Sequence, residues 1–189
     1  VTLPLLTALF LKVANRFLNE LLTNFITINA ALLSVAVSFF MFGYLLLDKF
    51  KPIKFELFEW YPSPQIIFEF YLDGLSGVMM ILISGLSLVI QLFSTSYMSK
   101  DEKYTKYFEY FNFFVFSMLL LVLSGNFLVM FFGWELVGLS SYLLISFWYE
   151  KNSAAKAGNK AFILNRIGDF GFLIGLMMIL NYFETFNFV

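Results

Sequence analysis

Runs of about 20 apolar residues recur along this chain, and they limit its possible folds more than any other feature. A helix that rises 1.5 Å per residue needs about 20 residues to cross the hydrocarbon of a bilayer. The 189 residues are 60% hydrophobic and 13% charged, with a mean hydropathy of +0.82. A water-soluble domain of this size has too little interior to bury so much apolar surface. The sequence therefore predicts an all-α, polytopic transmembrane bundle of about six helices, with residues 1–189 forming a single bundle.

Five predicted spans follow the first connection, of which Tyr110–Leu123 is shorter than the other four, and a sixth segment at the start of the chain is also short. The five are Leu21–Leu47, Gly74–Tyr97, Tyr110–Leu123 with a backward extension through Glu109 to Tyr107, Asn126–Tyr149 and Ala161–Tyr182. Val1–Leu11 covers only about 16 Å as a helix. It crosses the bilayer if Lys12 and Arg16 snorkel to the interface, or if further residues precede Val1.

Two of the connections between these spans carry structural information. Asp48–Leu72 is the only long one, with alternating apolar residues over Ile53–Phe58 that predict a short extended segment, followed by Trp60, Tyr61 and Pro62-Ser-Pro64. Ser124-Gly125 is a two-residue turn, which predicts that the flanking helices form an antiparallel hairpin. The remaining connections are Lys12–Glu20, Ser99–Lys106 and Glu150–Lys160.

The basic residues are distributed unevenly between the connections. Eight of the 12 Lys and Arg residues lie in the first, third and fifth connections, and three lie in the second and fourth. Because basic residues are enriched on the cytoplasmic side of membrane proteins, the odd-numbered connections are predicted to face the cytoplasm or the mitochondrial matrix. Val1 is then predicted to lie on the opposite side.

The composition also excludes several kinds of chemistry for this chain. It contains no cysteine and no histidine, so the residues for disulfides, thiolate metal sites or iron–sulfur ligation are absent. The formal charge of −1 argues against nucleic acid as a partner, whereas membrane lipid is an obligatory one.

Glu135 is the charge that most needs explaining, because it lies well inside the predicted span Asn126–Tyr149. An acidic residue at such a depth costs about 2.5–3.5 kcal/mol on insertion scales. No residue three or four positions away on its own helix can pair with it. We therefore expect a partner or water from another helix, or a proton held for part of the time. Glu135 is a candidate proton-relay residue, and the alternative is a neutral carboxyl that hydrogen-bonds two helices together.

Arg166 and Asp169 form a second candidate pair, since residues three apart share one helical face. Asn165 adds hydrogen-bonding capacity beside them, and the pair is predicted near the start of its helix. It either takes part in transport or only neutralises itself at the interface. Gly168, Gly171 and Gly175 cluster on the opposite face of the same helix, which predicts that protein neighbours enclose the helix.

Three further polar or aromatic residues lie near Glu135. Trp134 either shields the Glu135 carboxyl from solvent or packs as an ordinary buried tryptophan. Ser140 and Ser141 either donate hydrogen bonds to their own helix, which is the expected arrangement, or contribute to a hydrated path.

Two segments carry a resemblance to a known family. They are FFGWELVGLSSYLLISFW at Phe131–Trp148 and KAFILNRIGDF at Lys160–Phe170, supported upstream by LDGLS at Leu72–Ser76 and by Tyr97-Met98. Together they resemble the subunit 5 family of respiratory complex I, NADH:ubiquinone oxidoreductase, whose members are antiporter-like. The Asn-Arg-Ile-Gly-Asp element favours subunit 5 over its sister subunits and over Mrp-type antiporters. The resemblance covers roughly Asp73 to Leu180 and implies that the chain is the N-terminal part of a longer fold.

The resemblance implies specific roles for the candidate residues. Glu135 matches the proton-channel glutamate of the family, Asp169 matches an aspartate near the neighbouring antiporter-like subunit, and Arg166 is its companion. The family pairs the glutamate with a lysine on a later helix, which this chain lacks, so a second chain carrying the C-terminal half is an expected partner. Flavin and iron–sulfur clusters are expected on other complex I subunits, with no cofactor or metal in this chain and no redox chemistry of its own.

The resemblance also implies a multi-pass location in the mitochondrial inner membrane, with the bacterial plasma membrane as the alternative. The leading hypothesis is a proton-translocating membrane-arm subunit that couples quinone reduction to proton pumping. The alternatives are a fragment of an Mrp-type sodium/proton antiporter and a structural membrane subunit that conducts nothing.

Overall fold

The computed structural model describes residues 1–62 and 65–188, which form six α-helices and one two-stranded antiparallel sheet. In chain order the elements are α1 (Thr2–Ala14), α2 (Glu20–Leu47), β1 (Ile53–Pro62), β2 (Gln65–Leu72), α3 (Gly74–Tyr97), α4 (Tyr104–Val122), α5 (Phe127–Ile145) and α6 (Asn152–Phe183). The predicted helical membrane bundle is confirmed, and a β-hairpin is inserted between α2 and α3.

Four of the helices in the described part of the chain are long and apolar enough to cross a membrane, namely α2, α3, α5 and α6. Helix α1 has 13 residues and is apolar but short. Helix α4 has 19 residues and carries Lys106 and Glu109 in its first two turns. Helix α1 and helix α4, which is as long as α5 but more polar, both pack within the bundle, where α4 contacts α1, α3 and α5.

The predicted helix limits agree best where the sequence supplies a capping residue. Helix α3 begins at Gly74 as predicted, because the Asp73 side chain accepts from the Ser76 N–H while the Ser76 hydroxyl accepts from the Asp73 N–H. Helix α5 begins at Phe127 because the Asn126 Oδ1 accepts from the Val129 N–H at 2.9 Å.

The predicted start of the last helix at Ala161 is wrong, since α6 already begins at Asn152. Residues 152–160 are rich in alanine and lysine, which favour helix even though they lower the hydropathy. Hydropathy therefore predicted the start of the apolar segment, but it did not predict the start of the helix. For the same reason, α4 starts at Tyr104 within the predicted connection.

The predicted extended segment Ile53–Phe58 is confirmed as part of β1, which pairs with β2 in the register Ile53↔Leu72. Of the Pro62-Ser-Pro64 segment, Ser63 and Pro64 lie outside the described residues. The hairpin is attached to the connection between α4 and α5, since the Gly125 N–H donates to the Glu69 carbonyl at 3.0 Å and the Tyr71 N–H donates to the Leu123 carbonyl at 2.9 Å.

Asn126 joins three parts of the chain at this same end of the bundle. Besides capping α5, its Nδ2 donates to the Ile67 carbonyl of β2 at 2.7 Å. The segment after α6 also returns here, with the Phe127 N–H donating to the Phe186 carbonyl at 3.0 Å and a bridge between Asn126 and Asn187. The start of α5 is thus tied both to the hairpin and to the end of α6.

The predicted hairpin of α4 and α5 is confirmed as a close packing of the two helices. A Cβ atom built on Gly133 would lie 2.6 Å from the Leu121 Cα, closer than real Cβ contacts allow. The core continues between α3 and α4, where Ile83, Phe111 and Leu119 are buried. Helix α6 packs along α5 and leaves most of its remaining surface open.

Candidate functional site

Glu135 lies near the middle of α5 with its side chain only 18% exposed. Its Oε2 forms an ion pair with Nη1 of Arg166, which belongs to α6. This contact confirms the expectation that a partner for Glu135 comes from another helix. It also explains how an acidic residue is tolerated within an apolar helix, because an opposite charge offsets part of the cost of removing the carboxylate from water.

Arg166 is shared between two carboxylates. Besides contacting Glu135, its Nη1 lies 3.6 Å from Oδ2 of Asp169, three residues further along α6. The guanidinium carbon lies 4.9 Å from the centre of the Phe162 ring, a cation–π distance that helps to orient the fork. Arg166 therefore lies between the two candidate acids. Its predicted proximity to Asp169 on the same face of α6 is confirmed.

Asp169 is the most buried of the three charged residues, at 6% exposure. Its Oδ1 accepts a hydrogen bond of 2.9 Å from Nε1 of Trp134, the residue before Glu135 on α5. The Trp134 ring also stacks on Phe172 of α6, with 6.1 Å between ring centres. Asp169 is thus held by its own helix through Arg166 and by α5 through Trp134.

The role of Trp134 is the part of this site that the sequence did not reveal. Shielding of Glu135 and simple packing were the two expected roles, whereas the structure shows a hydrogen bond to Asp169 and a ring that is half exposed. The indole N–H of a tryptophan is a donor that needs a hydrogen-bond acceptor when the ring lies near buried groups. This need was the one feature of the sequence that pointed to a carboxylate partner for Trp134.

The remaining sequence expectations divide into confirmed and incorrect ones. Ser140 and Ser141 donate to carbonyls of their own helix, at 3.1 and 2.9 Å, as expected. The position of Arg166 and Asp169 near a helix start is wrong, because α6 begins at Asn152 and places both in its interior. Asn165 is exposed, with its Nδ2 3.6 Å from a Cβ built on Gly138.

The glycine face of α6 lacks the neighbours that the sequence led us to expect. Apart from adjacent residues and the nearby backbone of α6 itself, no described residue has an atom within 4 Å of a Cβ built on Gly168, Gly171 or Gly175. Within the described ranges 1–62 and 65–188, no other protein element therefore covers this glycine face.

A groove of about 440 Å³ opens beside the charged cluster and reaches Asp169. Its lining comes from α4, α5 and α6: Met118, Leu121, Trp134, Val137, Gly138, Ser141, Leu164, Asn165, Gly168 and Asp169. Across the part of the chain that the structure describes, no group of three or more His, Cys, Asp or Glu residues is arranged to hold a metal ion. The candidate site therefore consists of two carboxylates, one guanidinium group and the Trp134 indole.

Two sequence families match this chain. Residues 60–108 match the family described as NADH-ubiquinone oxidoreductase (complex I), chain 5 N-terminus. Residues 124–189, which include the whole charged cluster, match the family described as NADH:quinone oxidoreductase/Mrp antiporter, TM.

Curated relatives are 37–38% identical to this chain over nearly all of its length. NADH-quinone oxidoreductase subunit L of Rickettsia bellii is 37% identical over 100% of this chain and 29% of the relative. NADH-ubiquinone oxidoreductase chain 5 of Acanthamoeba castellanii is 38% identical over 98% of this chain and 27% of the relative. The chain therefore spans less than a third of the length of these curated relatives.

Two solved structures share the fold. An archaeal respiratory membrane complex, the membrane-bound sulfane sulfur reductase, gives a TM-score of 0.86 at 22% identity, covering 99% of this chain and 37% of the matched chain. Respiratory complex I from Thermus thermophilus with bound aureothin gives 0.74 at 17% identity, covering 98% and 37%. Fold and site thus define a polytopic, antiporter-like membrane protein. Within that class, the chain matches the N-terminal part of the complex I chain 5 (subunit L) family.

Proposed function

We propose that the chain forms the N-terminal part of a proton-translocating membrane-arm subunit of NADH:ubiquinone oxidoreductase, coupling quinone reduction to proton pumping. The observation that supports this most directly is the cluster of Glu135, Arg166 and Asp169 between two helices apolar enough to cross a membrane. Ionisable groups inside a membrane are costly and commonly mark ion or proton pathways. The names of the relatives support the same function.

The cluster can change its charge by one proton without losing all of its ion pairs. With both carboxylates ionised, the three side chains carry a formal charge of −1, and protonation of Glu135 brings this to zero. Arg166 then keeps Asp169 as its counter-ion, so the guanidinium is never left alone. Because the two acids share one cation, the proton occupancy of Glu135 and the position of Arg166 are linked.

Trp134 gives the two acids different roles in this proposal. Its indole N–H donates to Asp169, so that carboxylate is held in place by α5 as well as by Arg166 on its own helix. Asp169 is therefore the fixed counter-ion, and Glu135 is the group that gains and loses the proton. The lysine that the family resemblance implies would come from the remaining part of the fold and would drive these changes from the other side of Glu135.

The proposal places the chain in the mitochondrial inner membrane, beside an adjacent antiporter-like subunit. Arg166 and Asp169 would tune the coupling to that subunit, and flavin and iron–sulfur clusters would reside on other subunits. The rest of the fold would be supplied by further residues of the same polypeptide or by a second chain. Single-bundle organisation over 1–189 is part of the proposal, supported by the contacts that connect α1 to α6 through α4 and α5.

The test is Glu135→Gln in the intact complex, with NADH-driven proton uptake into sealed vesicles as the measurement. Glutamine keeps the size and polarity of the side chain and removes its proton exchange, so proton transport should be lost while the complex still assembles. Glu102→Gln, at an exposed position between α3 and α4, is the matched control and should behave as wild type. Normal pumping by the assembled Glu135→Gln complex would refute the proposal.

A sodium/proton antiporter fragment is the second candidate, because the family matched by residues 124–189 also includes Mrp antiporters. Copurification of the chain with flavin and iron–sulfur proteins, together with NADH oxidation, separates the two. A purely structural subunit would predict a sealed Glu135 without a basic neighbour. The contact between Arg166 and Glu135 argues against that third reading.

A further inference from the structure

A second feature of the molecule lies away from the charged cluster, in a groove between α1 and α4. The groove has a volume of about 550 Å³, which is within the range of about 300–1,000 Å³ typical of small-molecule sites. It is lined by Leu5, Ala8, Leu9, Lys12, Asn15, Lys106, Glu109, Tyr110, Phe113 and Leu143.

The lining residues follow one face of each helix. On α1 they recur at positions 5, 8, 9 and 12, and on α4 at positions 106, 109, 110 and 113. These spacings of three and four residues keep a side chain on one helical face. Two continuous helical faces therefore form the walls, and Leu143 of α5 contributes from the side.

The charged residues of the groove are gathered at one end. Lys12 lies in the last turn of α1, and Lys106 lies in the first turn of α4. Leu5 and Phe113 are each seven residues away from these lysines, which corresponds to about 10 Å along a helix. The groove thus has a cationic mouth and an apolar interior about two turns deep.

The two lysines are available to a ligand. Among the described residues, neither Lys12 nor Lys106 has an ion-pair partner within 4 Å, although the charges of both act on Glu109. Lys106 also lies 5.6 Å from the centre of the Tyr110 ring. With Glu109 ionised, the mouth carries a formal charge of +1. A single phosphodiester carries −1, so the charges are complementary.

We propose that this groove binds one anionic phospholipid, with its phosphate at Lys12 and Lys106 and an acyl chain along Leu5, Leu9 and Phe113. Basic pockets between transmembrane helices bind anionic headgroups on the cytoplasmic or matrix side. This is the side on which the uneven lysine distribution places both residues. Asn15, Glu109 and Tyr110 supply hydrogen-bonding groups for a headgroup such as glycerol.

The experiment uses the intact complex in phosphatidylcholine vesicles containing phosphatidylglycerol with a photoactivatable group in its acyl chain. After illumination, mass spectrometry locates the label along the chain. Labelling is expected on the peptides that contain Leu5–Leu9 and Phe113. Lys12→Gln with Lys106→Gln should lower this labelling about thirtyfold, because each lysine near an anionic headgroup contributes about a factor of five.

The matched control changes two lysines of α6 that lie outside the groove, Lys156→Gln with Lys160→Gln, and should keep wild-type labelling. Lys12→Arg with Lys106→Arg keeps both charges and should retain the label, which separates binding from folding. Equal loss in both double glutamine variants would overturn the proposal. So would label confined to other peptides, since the groove would then be filled by protein. Displacement of the lipid by millimolar inorganic phosphate would also overturn it, because the site would then be one for free phosphate.

Discussion

At the scale of single residues, the charge balance of the candidate site depends on Arg166. Its guanidinium contacts Glu135 on the neighbouring helix and lies 3.6 Å from Asp169 on its own helix. A lysine in this place would act as a point charge, whereas the planar fork of arginine can serve two carboxylates at once. The side chain is also 46% exposed, so its worth to stability is smaller than that of a fully buried ion pair.

Arg166→Gln should therefore abolish proton transport and also destabilise the assembled protein, since it leaves two carboxylates without a counter-ion. The double variant Glu135→Gln, Arg166→Gln removes one carboxylate as well and should recover part of the stability without recovering transport. Thermal unfolding of the purified complex measures the first effect, and proton uptake by vesicles measures the second. Coupling energies between contacting residues are about 0.5–3 kcal/mol. Additive losses in the double variant would show that the two residues do not interact.

Trp134→Phe keeps an aromatic ring against Phe172 and removes the donor to Asp169. We expect a loss of about 1 kcal/mol in unfolding free energy, in the range found for interhelical hydrogen bonds in membranes. Trp148→Phe is the control, because it removes an exposed indole bond to Asp101 of similar length, 2.9 Å. It should have the smaller effect on thermal stability, and an equal effect would contradict the special role of Trp134.

The residues of the candidate site could largely be predicted from the sequence. The contacts that bring them together across two helices could not. A carboxylate inside an apolar helix is costly enough that Glu135 needs a partner, and the spacing of Arg166 and Asp169 places them on one face. Which helix supplies the partner depends on how α5 and α6 pack, which no local pattern records. The hydrogen bond from Trp134 to Asp169 follows from the same packing and was missed for the same reason.

At the scale of elements, the close approach of α4 and α5 positions Glu135. A Cβ atom at position 133 would collide with the backbone and Cβ atoms of Leu121, which cannot rotate away. Glycine is needed here so that the two helices can approach closely, as small residues do at membrane helix contacts.

Gly133→Ala should consequently force α4 and α5 apart and destabilise the protein by about 1–3 kcal/mol, the usual cost of overpacking. Gly138→Ala on the same helix is the control, because the nearest atom lies 3.6 Å from its Cβ, an ordinary van der Waals contact. Thermal stability of the assembled complex distinguishes the two. A milder effect of Gly133→Ala than of Gly138→Ala would show that the helices can shift at no cost.

The elements themselves were predictable to different degrees. Helix α3 was located at both ends because its apolar run Gly74–Tyr97 is uninterrupted by charge, and a capping box of Asp73 and Ser76 fixes its start. Helix α6 extends nine residues before the predicted start at Ala161, because charge marks the edge of the membrane and not the end of a helix. The second strand was not predicted, since Gln65–Leu72 is extended through its pairing with β1, a contact that its own residue pattern does not reveal.

At the scale of the whole molecule, the hairpin, the turn between α4 and α5, and the segment after α6 meet at one end of the bundle. Glu69 of β2 is buried at this junction, at 5% exposure, with its side chain packed against Gly125. Burial raises the pKa of the Glu69 carboxyl above its ordinary value; Lys54 opposes this change and Glu56 adds to it.

A raised pKa in the folded state means that burial disfavours ionised Glu69 relative to protonated Glu69. Its contribution to stability is therefore complete below the ordinary pKa and is lost as the pH rises through the raised pKa. Glu69→Gln should stabilise the protein at neutral pH and flatten the decline of unfolding temperature with rising pH. Glu59→Gln, exposed on β1, is the control. An unchanged pH profile in Glu69→Gln would place the origin of the decline elsewhere.

Contacts between α5 and α6 at both of their ends limit which motions can follow a change of charge at the candidate site. At one end the Phe127 N–H bonds the Phe186 carbonyl, and at the other a Cβ on Gly158 would lie only 2.7 Å from the Ser146 Cβ. Separating the two helices would break one of these contacts, whereas rotation of the half-exposed Arg166 side chain would break neither. Side-chain rotation takes picoseconds to nanoseconds, whereas collective helix motion takes microseconds to milliseconds. Local charge rearrangement in this part of the subunit is therefore far faster than any backbone movement that would drive it.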